Sequence, residues 1–178
     1  MRLAVLILLP WLVFSQQITE NYWIRWNDEW TTPDQRDFAA WCYKYGTDRN
    51  NRGHTLMWLG KNESSWNVVL TGDDGKSFGP FGMDSTTALW VAECMGIEIA
   101  PKDVKSALEN DIDLAADMAL WYFEYWYDKY FAVYRHEGLS WTRAVKSYRY
   151  GYYPEKASEE FTLAINSWVR FFKKICKN

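Results

Sequence analysis

A carboxylic acid that keeps its proton near neutral pH is able to hand that proton to a leaving oxygen, and the neighbours of Glu63 make it the residue to examine first. It stands in Asn62-Glu63-Ser64-Ser65-Trp66-Asn67, an acid followed by small and polar residues, an indole and then a stretch from Thr71 to Gly82 with four glycines. A lone glutamate is ordinarily a solvated surface residue. Partial burial against aromatic walls would lift its pKa above the ordinary value of about 4.3; Trp58 and Trp66 are the nearest candidates in sequence, although each reads first as a core residue. Cleavage of a glycosidic bond uses such an acid on the leaving oxygen, commonly with a second carboxylate as nucleophile or as base for water. Asp73, Asp74 and Asp84 lie in or beside the following loop and offer to position a water, although aspartates beside Gly72 and Gly75 are also what turns favour. Lys61, Ser64 and Ser65 are close in sequence, but serine catalysis needs a base at hydrogen-bond range and an oxyanion hole that no segment announces. With His54 and His136 as the two histidines, and no CxxC or HxxxH spacing, neither a metal site nor a cofactor is expected.

Asn62-Glu63-Ser64-Ser65-Trp66-Asn67 resembles the Glu-Ser-x-Phe-Asn motif of lytic transglycosylases and goose-type lysozymes, a branch of the lysozyme-like superfamily. Gly79-Pro80-Phe81-Gly82, followed by Thr87-Ala88, is similar to that family's Gly-Leu-Met-Gln and Thr-Ala segment, with Gly82 where the family carries a cleft-lining glutamine. Ala144-Val145-Lys146-Ser147-Tyr148-Arg149-Tyr150-Gly151 is similar to its Ala-x-x-x-Tyr-Asn-x-Gly segment, with Arg149 in place of the asparagine. Asn110 to Ala115 looks, less specifically, like the Asn-Ile-x-x-Gly start of the family's long helix. The order and spacing of these segments, from about Leu56 to Gly151, carry the resemblance.

The resemblance implies that Glu63 is the catalytic acid and that Ser64, Trp66, Gly79 and Tyr148 bind substrate, with Tyr148 facing Glu63 across a cleft. The implied substrate is the glycan strand of peptidoglycan. Glu63 would protonate the leaving oxygen of a β-1,4 bond and then, as carboxylate, take a proton from the muramic acid 6-hydroxyl, giving a 1,6-anhydro product with no water consumed. Two alternatives stand beside this one. A hydrolytic muramidase would use the same acid with a positioned water, and a non-catalytic glycan-binding domain is suggested by the changes at Gly82 and Arg149. Asn62-Glu63-Ser64 also fits an N-glycosylation pattern, which is expected to be unmodified because a glycan there would block the cleft.

Start and stop signals divide the rest into helices, so the expected fold is all-α, with a loop or small hairpin within 66–82. Thr32, Pro33 and Gln35 form a capping box that opens a helix through Phe38, Trp41 and Cys42 to a stop at Gly46. A second helix is expected from His54 to about Glu63, which puts the acid where helix meets loop. Asp84 or Ser85 caps a helix ending near Gly96, and Pro101 starts a short one. A long helix is expected from Asp111 to Glu137, stopped by Gly138, with Ser140 capping the next, which ends by Gly151. A last helix follows Pro154 with Phe161, Ile165, Trp168 and Phe172 on one face. Aromatics are 19% of the chain, and Ile112, Ala115, Ala119, Tyr122, Trp126, Tyr130 and Val133 form a stripe at helical spacing that reads chiefly as packing. Because the run of rings exceeds one face, some of them are also expected to meet sugar.

Arg2, the apolar run Leu3–Phe14 and Ser15 read as a secretory signal cleaved near Ser15, the run of about twelve residues being short of the roughly 20 needed to span a bilayer. The expected organisation is therefore a signal at 1–15, an extension carrying the first helix at 16–50, and a lysozyme-like domain at 51–178, secreted or periplasmic with no permanent membrane anchor. The net charge of -3, or -4 without Arg2, comes with scattered Lys and Arg, which argues against a nucleic-acid partner. Three cysteines, Cys42, Cys94 and Cys176, allow at most one internal disulfide.

Overall fold

The computed structural model describes residues 32–68, 71–72 and 75–175. The first helix among the described residues, α1 (Pro33–Asp48), opens on the expected capping box. Thr32 Oγ1 accepts the Gln35 amide at 3.3 Å while Gln35 Oε1 accepts the Thr32 amide at 2.9 Å, and Pro33 has no N–H to satisfy, so most of the donors that a helix start leaves unmatched are accounted for. The helix α2 (Gly53–Ser64) packs along α1, and Phe38, Ala39, Cys42 and Tyr45 of α1 join Leu56, Met57, Trp58 and Leu59 of α2 in one core. The described part of the extension thus belongs to the same hydrophobic unit as the residues after 51.

Three two-residue strands follow: β1 (Thr71–Gly72), β2 (Ser77–Phe78) and β3 (Met83–Asp84). They form an antiparallel sheet in that order, with Thr71 opposite Phe78 and Phe78 opposite Met83. This small meander is where a loop or hairpin was expected. Its end is also a helix start, because Asp84 Oδ1 accepts the amides of Thr86 and Thr87, each at 3.0 Å, capping α3 (Ser85–Met95). Gly96, at φ 72°, ends α3 as a left-handed cap. A 3-10 turn at Pro101–Asp103 leads into α4 (Val104–Asn110).

The long helix α5 (Ile112–Tyr134) is the centre of the molecule. Ala115, Ala116, Met118, Ala119, Leu120, Tyr122, Phe123 and Trp126 are all buried, more than a single stripe provides, as for a helix enclosed on several sides. Val133, at the far end of the expected stripe, is instead 73% exposed. The next helix, α6 (Glu137–Tyr150), packs extensively against α5 and supplies Ala144, Val145 and Tyr148 to the core. The boundary between them differs from the expectation. Arg135 takes a left-handed conformation at φ 50°, and His136 caps α6 by accepting the Leu139 amide on Nδ1 at 3.2 Å, so Gly138 lies inside the helix. Ser140 is no cap. It is buried one turn in, its hydroxyl donating to the His136 carbonyl at 2.9 Å.

A 3-10 turn at Pro154–Lys156 precedes α7 (Glu159–Ile175), which lays Phe161, Ile165 and Trp168 onto the core, with Trp168 5.1 Å from Trp58 ring to ring. The expected all-α class holds, the tiny sheet aside. Phe81 and Phe123, both fully enclosed, each contribute on the order of 2 kcal/mol by burial. Among the described residues no helix is long and apolar enough to cross a membrane. Cys42 and Cys94 are both free thiols, and Cys176, Asp73, Asp74 and the whole 1–15 segment lie outside the described residues.

Candidate active site

Glu63 lies in the last turn of α2, and the way this helix stops determines where the carboxyl points. Ser65 and Trp66 follow at φ 51° and 59°, two successive side-chain-bearing residues in the left-handed region, each costing roughly 1–2 kcal/mol. Their surroundings offset that cost. The Ser65 and Trp66 amides return to the carbonyls of Lys61 and Gly60 at 2.9 and 3.0 Å, and the Trp66 indole donates to the Met57 carbonyl at 3.1 Å from a buried position. Ser64 donates to Gly60 at 2.8 Å and accepts the Asn67 amide at 3.2 Å. From α1, Gln35 Nε2 donates to the Ser65 carbonyl at 2.9 Å, tying this helix end to the capping box.

A cavity of about 310 Å³ opens beside Glu63, lined among others by Ser77, Gly82, Met83, Asp84, Thr87, Tyr122, Tyr148 and Arg149. Glu63 is half-buried on its wall, with Asn62 Nδ2 donating to its Oε1 at 2.6 Å. Gly82, at φ 60°, lies so close that a Cβ there would sit 3.0 Å from Glu63 Oε2 and from its Cβ. Tyr148 comes from α6, buried, and its hydroxyl donates to the Phe81 carbonyl at 2.9 Å. This bond fixes the Phe81–Gly82 backbone against the acid. Burial, and then the nearby negative charge of Glu63, hold the Tyr148 phenol well above its ordinary pKa, so it stays neutral and a donor. Tyr122 of α5 stacks tilted on Tyr148 at 5.3 Å, and its phenol is likewise pushed up, first by burial.

Asp84 shares the cavity wall with Glu63, but it is already engaged: beyond the two α3 amides, its Oδ2 accepts the Thr87 hydroxyl at 2.6 Å. Arg149, exposed on the rim, lines the cavity as well, with its guanidinium carbon 5.6 Å from the centre of the Phe161 ring. Chemically this is one half-buried acid beside a backbone turn, a second carboxyl within the same cavity, neutral phenols and one cation. Among the described residues no group of three or more His, Cys, Asp or Glu is arranged to hold a metal ion.

Of the residues singled out in sequence, Glu63, Gly82, Tyr148, Arg149 and Asp84 meet around this cavity. Ser64, Trp66 and Gly79 are not among its lining residues. Ser64 and Trp66 hold the helix end, and Gly79, at φ 71°, is required because a Cβ would come within 2.5 Å of the Leu108 carbonyl. Trp58 does not wall the acid either, since it packs on Trp141, Phe161 and Trp168. The aromatic wall is made of Tyr122, Tyr148 and Tyr150 instead. Tyr122 carried a signal only as a member of the α5 stripe, and Ser77 and Met83 carried none. No protein-family model, no curated protein and no solved structure matches this chain.

Proposed function

We propose that this chain is a peptidoglycan-cleaving lytic transglycosylase that breaks the MurNAc-GlcNAc β-1,4 bond with Glu63 as its single catalytic acid. The observation that carries this reading is the convergence of three segments far apart in sequence: the end of α2, the Phe81–Gly82 turn and Tyr148, gathered at one cavity and linked by the Tyr148 to Phe81 hydrogen bond. A proton passes from the Glu63 carboxyl to the glycosidic oxygen as the bond to the muramic acid anomeric carbon breaks. The Glu63 carboxylate then accepts the proton of the C6 hydroxyl, whose oxygen closes onto that carbon, returning the acid to its starting state. Tyr148 is a positioning residue here, since its proton is committed to the Phe81 carbonyl. Peptidoglycan lies outside the cytoplasm, in keeping with the export read from 1–15.

One observation favours a second reading. Asp84 lies on the same cavity wall, where a carboxylate is able to orient a water for hydrolytic muramidase action. Mass spectrometry of the muropeptides released from purified peptidoglycan separates the two. Anhydro-muropeptides are expected. Reducing-end products, heavier by one water, would transfer the assignment to a muramidase, and no release of either would overturn both in favour of a glycan-binding domain.

A further inference from the structure

Outside the cavity, α3, α5 and the segment after α6 bring a set of aromatic rings to the surface. Trp90 of α3 meets Tyr125 edge-on at 5.0 Å and Trp121 at 5.5 Å, and Trp121 stacks on Tyr125 at 6.0 Å. The Tyr125 hydroxyl lies 3.3 Å from that of Tyr152 and accepts from Lys129 Nζ at 3.0 Å. Trp90 is 36% and Tyr152 69% exposed, the latter the second most exposed large hydrophobic side chain described.

Trp121 and Tyr125 are partly buried against the core, and Trp90 and Tyr152 extend their rings into an exposed aromatic patch of the kind that marks a binding surface. The cluster is also continuous with the candidate cavity. Tyr122, which lines the cavity, meets Trp90 edge-on at 6.1 Å, and Gly151, another lining residue, directly precedes Tyr152. Rings with hydroxyl and ammonium groups at their margin suit a ligand that is apolar on its ring faces and hydroxylated at its edges, which describes a sugar. A glycan strand is a polymer that runs on beyond a cavity of about 310 Å³.

We infer that Trp90, Trp121, Tyr125 and Tyr152 form a second carbohydrate subsite, which seats sugar rings of the same strand beyond those held at Glu63. This inference rests on the glycan reading above and extends it to a second site. The Lys129 bond to Tyr125 and the contact of Tyr125 with Tyr152 hold the rings in place before the strand arrives, so little side-chain freedom is lost on binding.

The test uses the full chain as Glu63→Gln, which should bind without cutting, and titrates it with a β-1,4-linked N-acetylglucosamine hexamer and dimer while following tryptophan fluorescence. The hexamer should bind more tightly than the dimer and change the emission. Adding Trp90→Ala and Tyr152→Ala should weaken the hexamer about tenfold or more and leave the dimer unchanged. Tyr152→Ala alone, at a well-exposed position, should reproduce part of that loss even if the double variant folds poorly. Equal affinity for hexamer and dimer, or an unchanged hexamer affinity in the variants, would overturn the subsite, as would equal weakening of both ligands. So would loss of binding to phosphatidylcholine/phosphatidylglycerol vesicles in the variants with hexamer binding intact, which would make the patch a lipid contact. Failure of the glycosidase reading shows separately, as an absence of muropeptide release by the wild-type chain.

Discussion

Glycine at position 82 is what lets the Glu63 carboxyl sit where it does: any side chain there begins 3.0 Å from Oε2. Gly82→Ala should cost roughly 1–2 kcal/mol of stability, from its left-handed backbone, and should lower turnover about 10- to 100-fold by displacing the acid. Initial rates on purified peptidoglycan beside a thermal melt check both numbers. Tyr148→Phe removes the donor to a buried carbonyl, with an expected loss of about 1–3 kcal/mol in urea unfolding. Because Tyr148 acts through the Phe81–Gly82 backbone, kcat should fall while KM stays nearly constant. The sequence read Glu63 and Tyr148 from motif spacing, and the cavity gathers both. Trp58 and Trp66, nearest the acid in sequence, are core residues as expected, Trp66 being turned inward to the Met57 carbonyl by the end of α2, whereas Tyr122 reaches the cavity from α5, which proximity along the chain does not announce.

The helices were legible where their ends carry side-chain chemistry. The capping box at Thr32 and Gln35, the Asp84 cap and the Gly96 stop each specify a local hydrogen-bond pattern that needs no tertiary context. Where a cap comes from a less common residue, the reading failed: Gly138 looked like a stop, but Arg135 took the left-handed position and His136 the cap. Thr32→Ala should lower stability by about 1 kcal/mol, a shift of about 3 °C in Tm for a chain of this size. Since Gln35 also holds the Ser65 carbonyl, the effect should extend to the end of α2 and reduce turnover, whereas Asp34→Asn, at an exposed site in the same turn, should change turnover little. A melt and a rate assay on both variants decide whether the two helix ends are coupled.

Over the whole molecule, burial leaves a pH dependence that the sequence did not announce. His54 packs against Tyr43 at 5.0 Å between ring centres, and desolvation pushes its imidazole down from 6.5 to about 4. The unfolded chain takes up this proton near 6.5 and the folded chain resists it, so the associated stability is complete above pH 6.5 and lost as pH falls toward 4. At pH 5 the loss should be on the order of 2 kcal/mol relative to pH 7.5, read from urea midpoints, and His54→Gln should remove that part of the slope. The convergence of α2, the strand turn and α6 on one cavity, which the order and spacing of the motifs implied, depends in space on how α5 gathers its neighbours. That convergence matters only if the acid at its centre transfers protons. The decisive measurement is the rate of muropeptide release by Glu63→Gln beside wild type, with unchanged binding to insoluble peptidoglycan as the control for folding. A loss of about 100-fold or more with binding retained is the expected result, and a variant that releases muropeptides at the wild-type rate would contradict Glu63 as the catalytic acid.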